Sequence, residues 1–176
     1  IKQCLVGSEM CIRDSSTSDQ SSPSIAVDLG VGRTAVTVTA GRDHVCALLD
    51  DGSVKCWGDD LEGQLGEGLN GNTNYNGFGY DSDVPTPVLL PTGRTAIAVE
   101  ANYRHTCAIL DDGSLTCWGS DWRGELGNGG SNTALDYPST NPIDLGTGRT
   151  AVAVSLGRAH TCAILDNGDA KCWGLD

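Results

Sequence analysis

The sequence predicts an all-β fold built from three repeated units of about four antiparallel strands each. Three observations carry that prediction. One phrase recurs almost unchanged, as HVCALLDDGSVKCWG from His44, HTCAILDDGSLTCWG from His105 and HTCAILDNGDAKCWG from His160. Each copy follows a second recurring phrase, GRTAVTV from Gly32, GRTAIAV from Gly93 and GRTAVAV from Gly148. The copies start 61 and then 55 residues apart, and a period of this size marks stacked supersecondary units that bury a continuous core only by packing on their neighbours. Glycine is abundant (24 residues), whereas phenylalanine and methionine occur once each, which suits turn-rich β structure with a Val/Ile/Leu/Ala/Trp core. The repetition is also an internal control. Residue types kept in every copy serve the folding of the unit, and those that differ are the better candidates for function.

The chain has 176 residues, enough for a sizeable core, and its 39% apolar content argues against disorder for most of it. Its net charge of -12 disfavours nucleic acid and anionic lipid as partners, because both would repel it. No apolar run approaches the roughly 18 residues of a membrane span, so no membrane insertion is expected. Eight cysteines shift the expectation towards an oxidising compartment.

Taken in order, residues 1–15 (IKQCLVGSEMCIRDS) fall outside the pattern and lack the layout of a signal peptide. CLVGSEMCIRDS resembles a translated sequencing adapter, and on that reading Cys4 and Cys11 are foreign to the protein; the alternative is a genuine, poorly ordered tail. Ser15 to Ser24 is serine-rich and reads as linker. The expected boundaries are therefore a non-native or disordered segment over 1–24 and a repeat region over 25–176, with repeats at about 25–68, 86–129 and 141–176.

The second repeat carries four strand signals. Pro87 to Leu90 is the first. Ala96 to Val99 is the second, and its unbroken apolar run suits a strand covered on both faces. His105 to Leu110 and Ser114 to Trp118 flank Asp111-Asp112-Gly113, a hairpin turn in which Gly113 takes positive φ without steric cost. The matching turns are Asp50-Asp51-Gly52 and Asp166-Asn167-Gly168. A three-residue loop closes Leu110 against Ser114. Counting outward then sets Cys107 opposite Cys117, and by the same count Cys46 opposite Cys56 and Cys162 opposite Cys172. Each pair falls at a non-hydrogen-bonded position, where Cα atoms lie roughly 4.5 Å apart, within reach of a disulfide. Reduced, buried thiols are the alternative; a zinc site is disfavoured because the short Cys-x-x-Cys knuckle is missing.

Trp57, Trp118 and Trp173 follow the second cysteine and so point to the opposite hairpin face, across from Val45, Thr106 and Thr161. Recurrence in every unit makes them core between neighbouring sheets rather than ligand-stacking groups. The same reasoning reads His44, His105 and His160 as structural imidazoles bonding nearby backbone, and Arg33, Arg94 and Arg149 as structural too.

CWGDDLEGQLGEG from Cys56 and CWGSDWRGELGNG from Cys117, with GRTAVTV and HTCAILDDG, resemble the bacterial, cysteine-paired branch of the regulator of chromosome condensation repeat family. The resemblance covers about Ile25 to Asp176. It implies a partial β-propeller of four-stranded blades, a fragment of a larger ring of usually seven. Three units cannot close a ring, since propellers need roughly four to eight blades.

Function is then sought where the copies differ. Leu69 to Pro87 and Gly130 to Pro142 join the repeats, and loops of this kind carry binding. Tyr75, Phe78 and Tyr80 are aromatics on a polar stretch, and Trp122 and Arg123 occupy a slot held by Leu61 and Glu62 in the first copy. These five are the candidate binding residues; solvated insertions without a partner are the bland alternative. Asp81 and Asp83 lack a Ca²⁺-binding spacing, so no metal and no cofactor is expected. Asp59 and Asp60 read as a polar turn rather than catalytic carboxylates. No nucleophile–base arrangement, P-loop or dinucleotide fingerprint emerges, so the chain is not expected to be an enzyme. The leading expectation is a protein-binding or scaffold module of a secreted or surface bacterial protein, extracellular or periplasmic, with a protein partner of unknown identity. The family includes a propeller-type β-lactamase inhibitor, so enzyme inhibition is one concrete form. The alternatives are a guanine-nucleotide exchange factor, disfavoured by the paired cysteines, and the non-catalytic part of a secreted hydrolase.

Overall fold

The structure, a computed structural model, describes residues 26–68, 81–130 and 134–175. Ten strands are set in three antiparallel sheets, and no helix occurs among the described residues. The first sheet contains β1 (Ala35–Ala40), β2 (His44–Leu49), β3 (Val54–Gly58) and β4 (Ser82–Pro87), in that order. The second contains β5 (Ala96–Asn102), β6 (His105–Leu110) and β7 (Leu115–Gly119). The third contains β8 (Ala151–Leu156), β9 (His160–Leu165) and β10 (Ala170–Gly174).

The hairpin register is the one the turn chemistry predicts. Leu110 N donates to Ser114 O at 2.8 Å, and Cys46↔Cys56, Cys107↔Cys117 and Cys162↔Cys172 face each other across their ladders. All three pairs are disulfides with Cα atoms 4.0–4.1 Å apart. In the turns, Asp51 Oδ1 accepts from Ser53 N and Oγ, and Asp112 Oδ1 from Ser114 N and Oγ. These bonds stabilise the turn within its own four residues. Gly52, Gly113 and Gly168 take φ of 77°, 78° and 87°.

Two strand readings need correction. The signal at Pro87 to Leu90 is not the first strand of the second unit. The strand is Ser82–Pro87, and it completes the first sheet by pairing with β3 through Lys55↔Pro87 and Cys56↔Thr86. Pro85 and Pro87 cannot donate to a second neighbour, which confines this strand to an edge. The second correction is at β5, which is not covered on both faces: Ala96, Val99 and Ala101 are buried, while Ile97 is 59% exposed. It is the innermost strand of its sheet, paired on one side only, and a bulge between Ala96 and Ala98 shifts its alternation.

Packing between sheets follows one rule twice. The cystine face of one hairpin meets the tryptophan face of the next. Cys46, Cys56, Leu48 and Val54 share a core with Ala108, Leu110 and Trp118. Cys107, Cys117, Ile109 and Leu115 do the same with Ala163, Leu165 and Trp173. The middle hairpin is thus covered on both faces, and every residue of β6 and β7 is buried. The turns tie in at one end. Ala96 N donates to Gly52 O and Ala151 N to Gly113 O, each at 2.8 Å, and Arg33 and Arg94 pair with the aspartates of their own turns.

A Cβ on Gly113 would lie 2.7 Å from Thr150 Cβ, and its φ already disfavours side chains. Gly113→Val is therefore expected to cost roughly 2–4 kcal/mol, from backbone strain and overpacking together. Asn128→Ala removes an exposed bond to Gly130 N and should cost about 1 kcal/mol or less. Urea unfolding of the two variants checks the contrast; equal midpoints would contradict the strained turn.

Candidate binding face

Three short connections, between β1 and β2, β5 and β6, and β8 and β9, gather at one end of the sheets. One slot in them holds Arg42, Tyr103 and Arg158 in the three repeats, and the next holds Asp43, Arg104 and Ala159. Tyr103 sits in the two-residue link from Asn102 to His105 with φ 43°, the one non-glycine positive φ among the described residues. Its ring lies between two guanidinium groups, with Arg42 Cζ 5.3 Å and Arg158 Cζ 4.8 Å from the centroid. Its hydroxyl accepts from Arg42 Nη1 at 3.1 Å and Arg158 Nη2 at 3.4 Å, and these bonds hold its pKa below the usual phenol value.

The loop after each Cys-Trp-Gly completes this face. Asp60 Oδ1 accepts from Leu65 N and Asp121 Oδ1 from Leu126 N, which curls each loop back on itself. Asp59 takes Gln64 Nε2 at 2.7 Å. Asp59 and Asp60 are thus the polar turn expected of them, and burial pushes the Asp60 carboxyl up to about 8. The curl presents Trp122, 62% exposed, beside Arg123. Trp122 Nε1 donates to Glu62 Oε2 at 3.0 Å, and Arg104 Nη1 lies 3.4 Å from Glu62 Oε1. Between the second and third sheets, a cavity of about 380 Å³ opens on this face. It is lined by Tyr103, Trp122, Arg123 and Glu125 on one side and Arg158, Ala159 and His160 on the other.

Beneath the face lies a buried latch. His44 Nε2 is 2.9 Å from Thr106 Oγ1 of the next sheet, and His105 Nε2 is 3.2 Å from Thr161 Oγ1. Thr106 Oγ1 donates to Gln64 O, and Thr161 Oγ1 to Glu125 O. Trp118 Nε1 and Trp173 Nε1 donate to the same two carbonyls, each at 3.0 Å. Since each threonine proton goes to a carbonyl, each imidazole must donate from Nε2 and leave Nδ1 as the bare nitrogen. Those Nδ1 atoms are buried without a partner. Burial drives the pKa of His44 down to about 3 and of His105 to about 4, in each case helped by the next histidine. His44 and His105 are structural, as expected, but they bond a side chain of the neighbouring repeat rather than nearby backbone, whereas His160 is exposed.

Of the five candidate binding residues, Trp122 and Arg123 lie together on this face, and Tyr75, Phe78 and Tyr80 lie outside the described residues. The sequence reading overlooked Arg42, Tyr103 and Arg158. Their signal was available, since Tyr103 replaces the arginine kept in its slot by the other two copies. No cluster among the described residues is arranged to hold a metal, and Asp81 Oδ1 instead accepts from Asp60 N.

Two family models, both described as the regulator of chromosome condensation (RCC1) repeat, match the chain. One matches residues 35–64, 96–124 and 151–176, and the other residues 51–109. The chain belongs to the regulator of chromosome condensation (RCC1) repeat family. Protein pim1 of Schizosaccharomyces pombe is 31% identical over 116 residues, covering 64% of this chain and 22% of that protein. The ultraviolet-B receptor UVR8 of Arabidopsis thaliana is 30% identical over 137 residues, covering 78% of this chain and 28% of the receptor. The chain thus spans less than a third of either relative. Among solved structures, human WBSCR16 matches with a TM-score of 0.76 at 21% identity, over 93% of this chain and 39% of that one. Yeast RCC1 (Prp20), solved bound to Kap60, matches with a TM-score of 0.66 at 22% identity, over 80% and 32%.

These structures establish the fold, and the three sheets are RCC1-type propeller blades that do not close a ring. The disulfides fit the cysteine-paired branch. In RCC1-repeat terms, the first two matched spans end at Gln64 and Gly124, at the loops whose carbonyls receive the next blade's threonine and tryptophan. The latch is therefore the joint between repeats, and the face above it is where the repeats diverge.

Proposed function

We propose that this RCC1-repeat chain is a non-catalytic protein-binding part of a secreted or surface-displayed bacterial protein, and that the face around Tyr103 is its contact surface. The observation that carries this reading is the convergence of Arg42, Tyr103, Arg158, Trp122 and Arg123 at one end of the blades. Aromatic and arginine side chains dominate the energetics of protein interfaces. A net charge of -12 favours a protein over a nucleic acid. Three disulfides, two of them buried, support an oxidising compartment, extracellular or periplasmic, and weigh against nucleotide exchange on a GTPase in a reducing one. The yeast relative Prp20 has been studied for binding to Gsp1p and histones, so blades of this type do serve protein recognition in that protein.

The test is recovery of partners from the source organism's surface fraction by the full-length protein. Trp122→Ala with Arg123→Ala is expected to lower recovery by roughly tenfold or more, as loss of a true anchor costs about 2 kcal/mol. Alanine at Tyr75, Phe78 and Tyr80 is a separate arm that tests the other proposed part of the surface. Unchanged recovery in both arms would remove these residues from the interface.

A further inference from the structure

We propose that the cavity at the turn end of the second blade is a lysine-binding subsite, which takes one lysine side chain from a basic segment of a partner protein. It lies at the opposite end of the blades from the Tyr103 face and is a second surface, separate from that one.

Three equivalent slots change together in the middle blade. The first blade carries Asp28, Gly30 and Lys55 in them, the third Asp144, Gly146 and Lys171, and the second Leu89, Pro91 and Thr116. In the first and third blades the aspartate Oδ1 accepts from the glycine N–H, at 2.9 Å for Gly30 and 2.8 Å for Gly146. The lysine then lies over that glycine. A Cβ on Gly30 would stand 3.4 Å from Lys55 Nζ, and a Cβ on Gly146 would stand 3.4 Å from Lys171 Nζ. Pro91 has no N–H to give, so an aspartate in the slot of Leu89 would have nothing to accept. Thr116 is too short to reach over Pro91. It is 1% exposed, and its Oγ1 donates to Ser139 O at 3.3 Å. The volume that a lysine side chain fills in the other two blades stands as a cavity of about 240 Å³, lined by Pro91, Ser114, Thr116, Thr140 and Pro142 among others. All of its described walls come from residues 91–142, so it is formed by one blade and the segment that follows it rather than by a joint between blades.

Its size and chemistry fit one basic side chain. The volume is below the roughly 300–1,000 Å³ of small-molecule sites. At the rim, Arg94 pairs with Asp112 at 2.8 Å and with Asp111 at 3.6 Å, so two carboxylates face one guanidinium and the rim is net negative. Asp112 Oδ1 accepts from Ser114 Oγ and N, and these bonds hold its carboxyl below the usual carboxylate range, so it is charged at neutral pH. The first blade shows that an ammonium is compatible with such a turn. There Arg33 pairs with Asp50 at 3.3 Å and Asp51 at 2.8 Å in the same blade that houses Lys55. The hydroxyls of Ser114, Thr116 and Thr140 add oxygen acceptors, and Pro91 and Pro142 offer apolar contact to the methylenes of a lysine stem. A chain with a net charge of -12 also favours the approach of a basic segment over an acidic one.

The test is an NMR titration of the full, disulfide-bonded chain, read at the amides of Thr116, Ser139 and Thr140. The probes are a five-residue peptide with a central lysine, its norleucine counterpart and its glutamate counterpart. The lysine peptide is expected to give saturable shifts, and the other two none. Thr116→Lys restores the residue of the other two blades and fills the cavity from within. It should abolish binding while leaving the melting temperature within a few degrees. Asp112→Asn keeps the oxygen to which Ser114 donates but removes the charge, and should weaken the peptide by roughly tenfold or more. No shift from the lysine peptide, equal shifts from the norleucine peptide, or undiminished binding by Thr116→Lys would each overturn the proposal. Trp122→Ala with Arg123→Ala should leave the lysine peptide's affinity unchanged, so that failure of the Tyr103 face and failure of this subsite are read separately.

Discussion

Replacing Trp118 with alanine is expected to produce the largest loss of stability in the chain, roughly 3–5 kcal/mol. The indole is fully buried between the first two blades, where it packs with Cys46, Leu48, Val54 and Leu65. It packs so closely on Gly66 that a Cβ there would stand 2.5 Å from Nε1. The truncation opens a cavity and also removes the donor to Gln64 O. Trp118→Phe separates the two effects. It keeps most of the ring, loses the N–H, and should cost about 1–3 kcal/mol. Urea midpoints at constant slope measure both variants. A Trp118→Ala variant within 1 kcal/mol of the parent would show that the joint between blades does not depend on this side chain.

Acidification is expected to strike the next joint, between the second and third blades, through His105. Its pKa is about 4 in the folded chain against an ordinary 6.5, so above pH 6.5 the imidazole is neutral in both states and costs nothing. As the pH falls below 6.5 the unfolded chain takes up a proton that the folded chain refuses. Folding then loses about 1.4 kcal/mol per pH unit, down to a pH of about 4. His44, with a folded pKa of about 3, adds a second contribution of the same sign over a wider range. Asp60 works the other way. Its folded pKa of about 8 lies above the ordinary 3.8, so its share of stability is complete in acid and is lost as the pH rises towards 8. The raised carboxyls of Asp59, Glu67 and Asp121 act in the same sense as Asp60. A difference experiment cancels these opposing groups. His105→Gln keeps a side-chain N–H for Thr161 but cannot titrate. Its stability deficit relative to the parent should shrink by roughly 2–3 kcal/mol between pH 6.5 and 4.5. A deficit that does not vary with pH would mean that His105 titrates alike in both states.

Much of the blade was legible because its hairpins are local. Asp111, Asp112 and Gly113 set a turn through bonds within four residues, and the register that pairs Cys107 with Cys117 follows from that turn alone. Alternation then sends Trp118 to the face opposite the cystine, which is where it packs. The outer strand was misassigned because its strand character comes from pairing with β3, 24 to 32 residues away, and not from Val88-Leu89-Leu90. His105 was read correctly as structural, but its partner Thr161 stands 56 residues on, beyond the reach of any local pattern. Of the candidate site, Trp122 and Arg123 were legible as departures from the repeat. Tyr103 was equally visible as a departure and was passed over because it stands two residues before the recurring phrase.

By itself, then, the sequence determined the repeat, the turns, the hairpin register, the disulfide pairing and the family, all of which rest on short-range geometry or on motifs kept within each copy. Only the tertiary structure decided which residue of one blade meets which of the next. It showed that Gln64 O collects the proton of Thr106 and the indole of Trp118, and that Tyr103 stacks between Arg42 and Arg158. The physical reason is that contacts between blades depend on the angle and offset at which two sheets pack. That geometry is set by the whole buried interface and is written in no single stretch of chain.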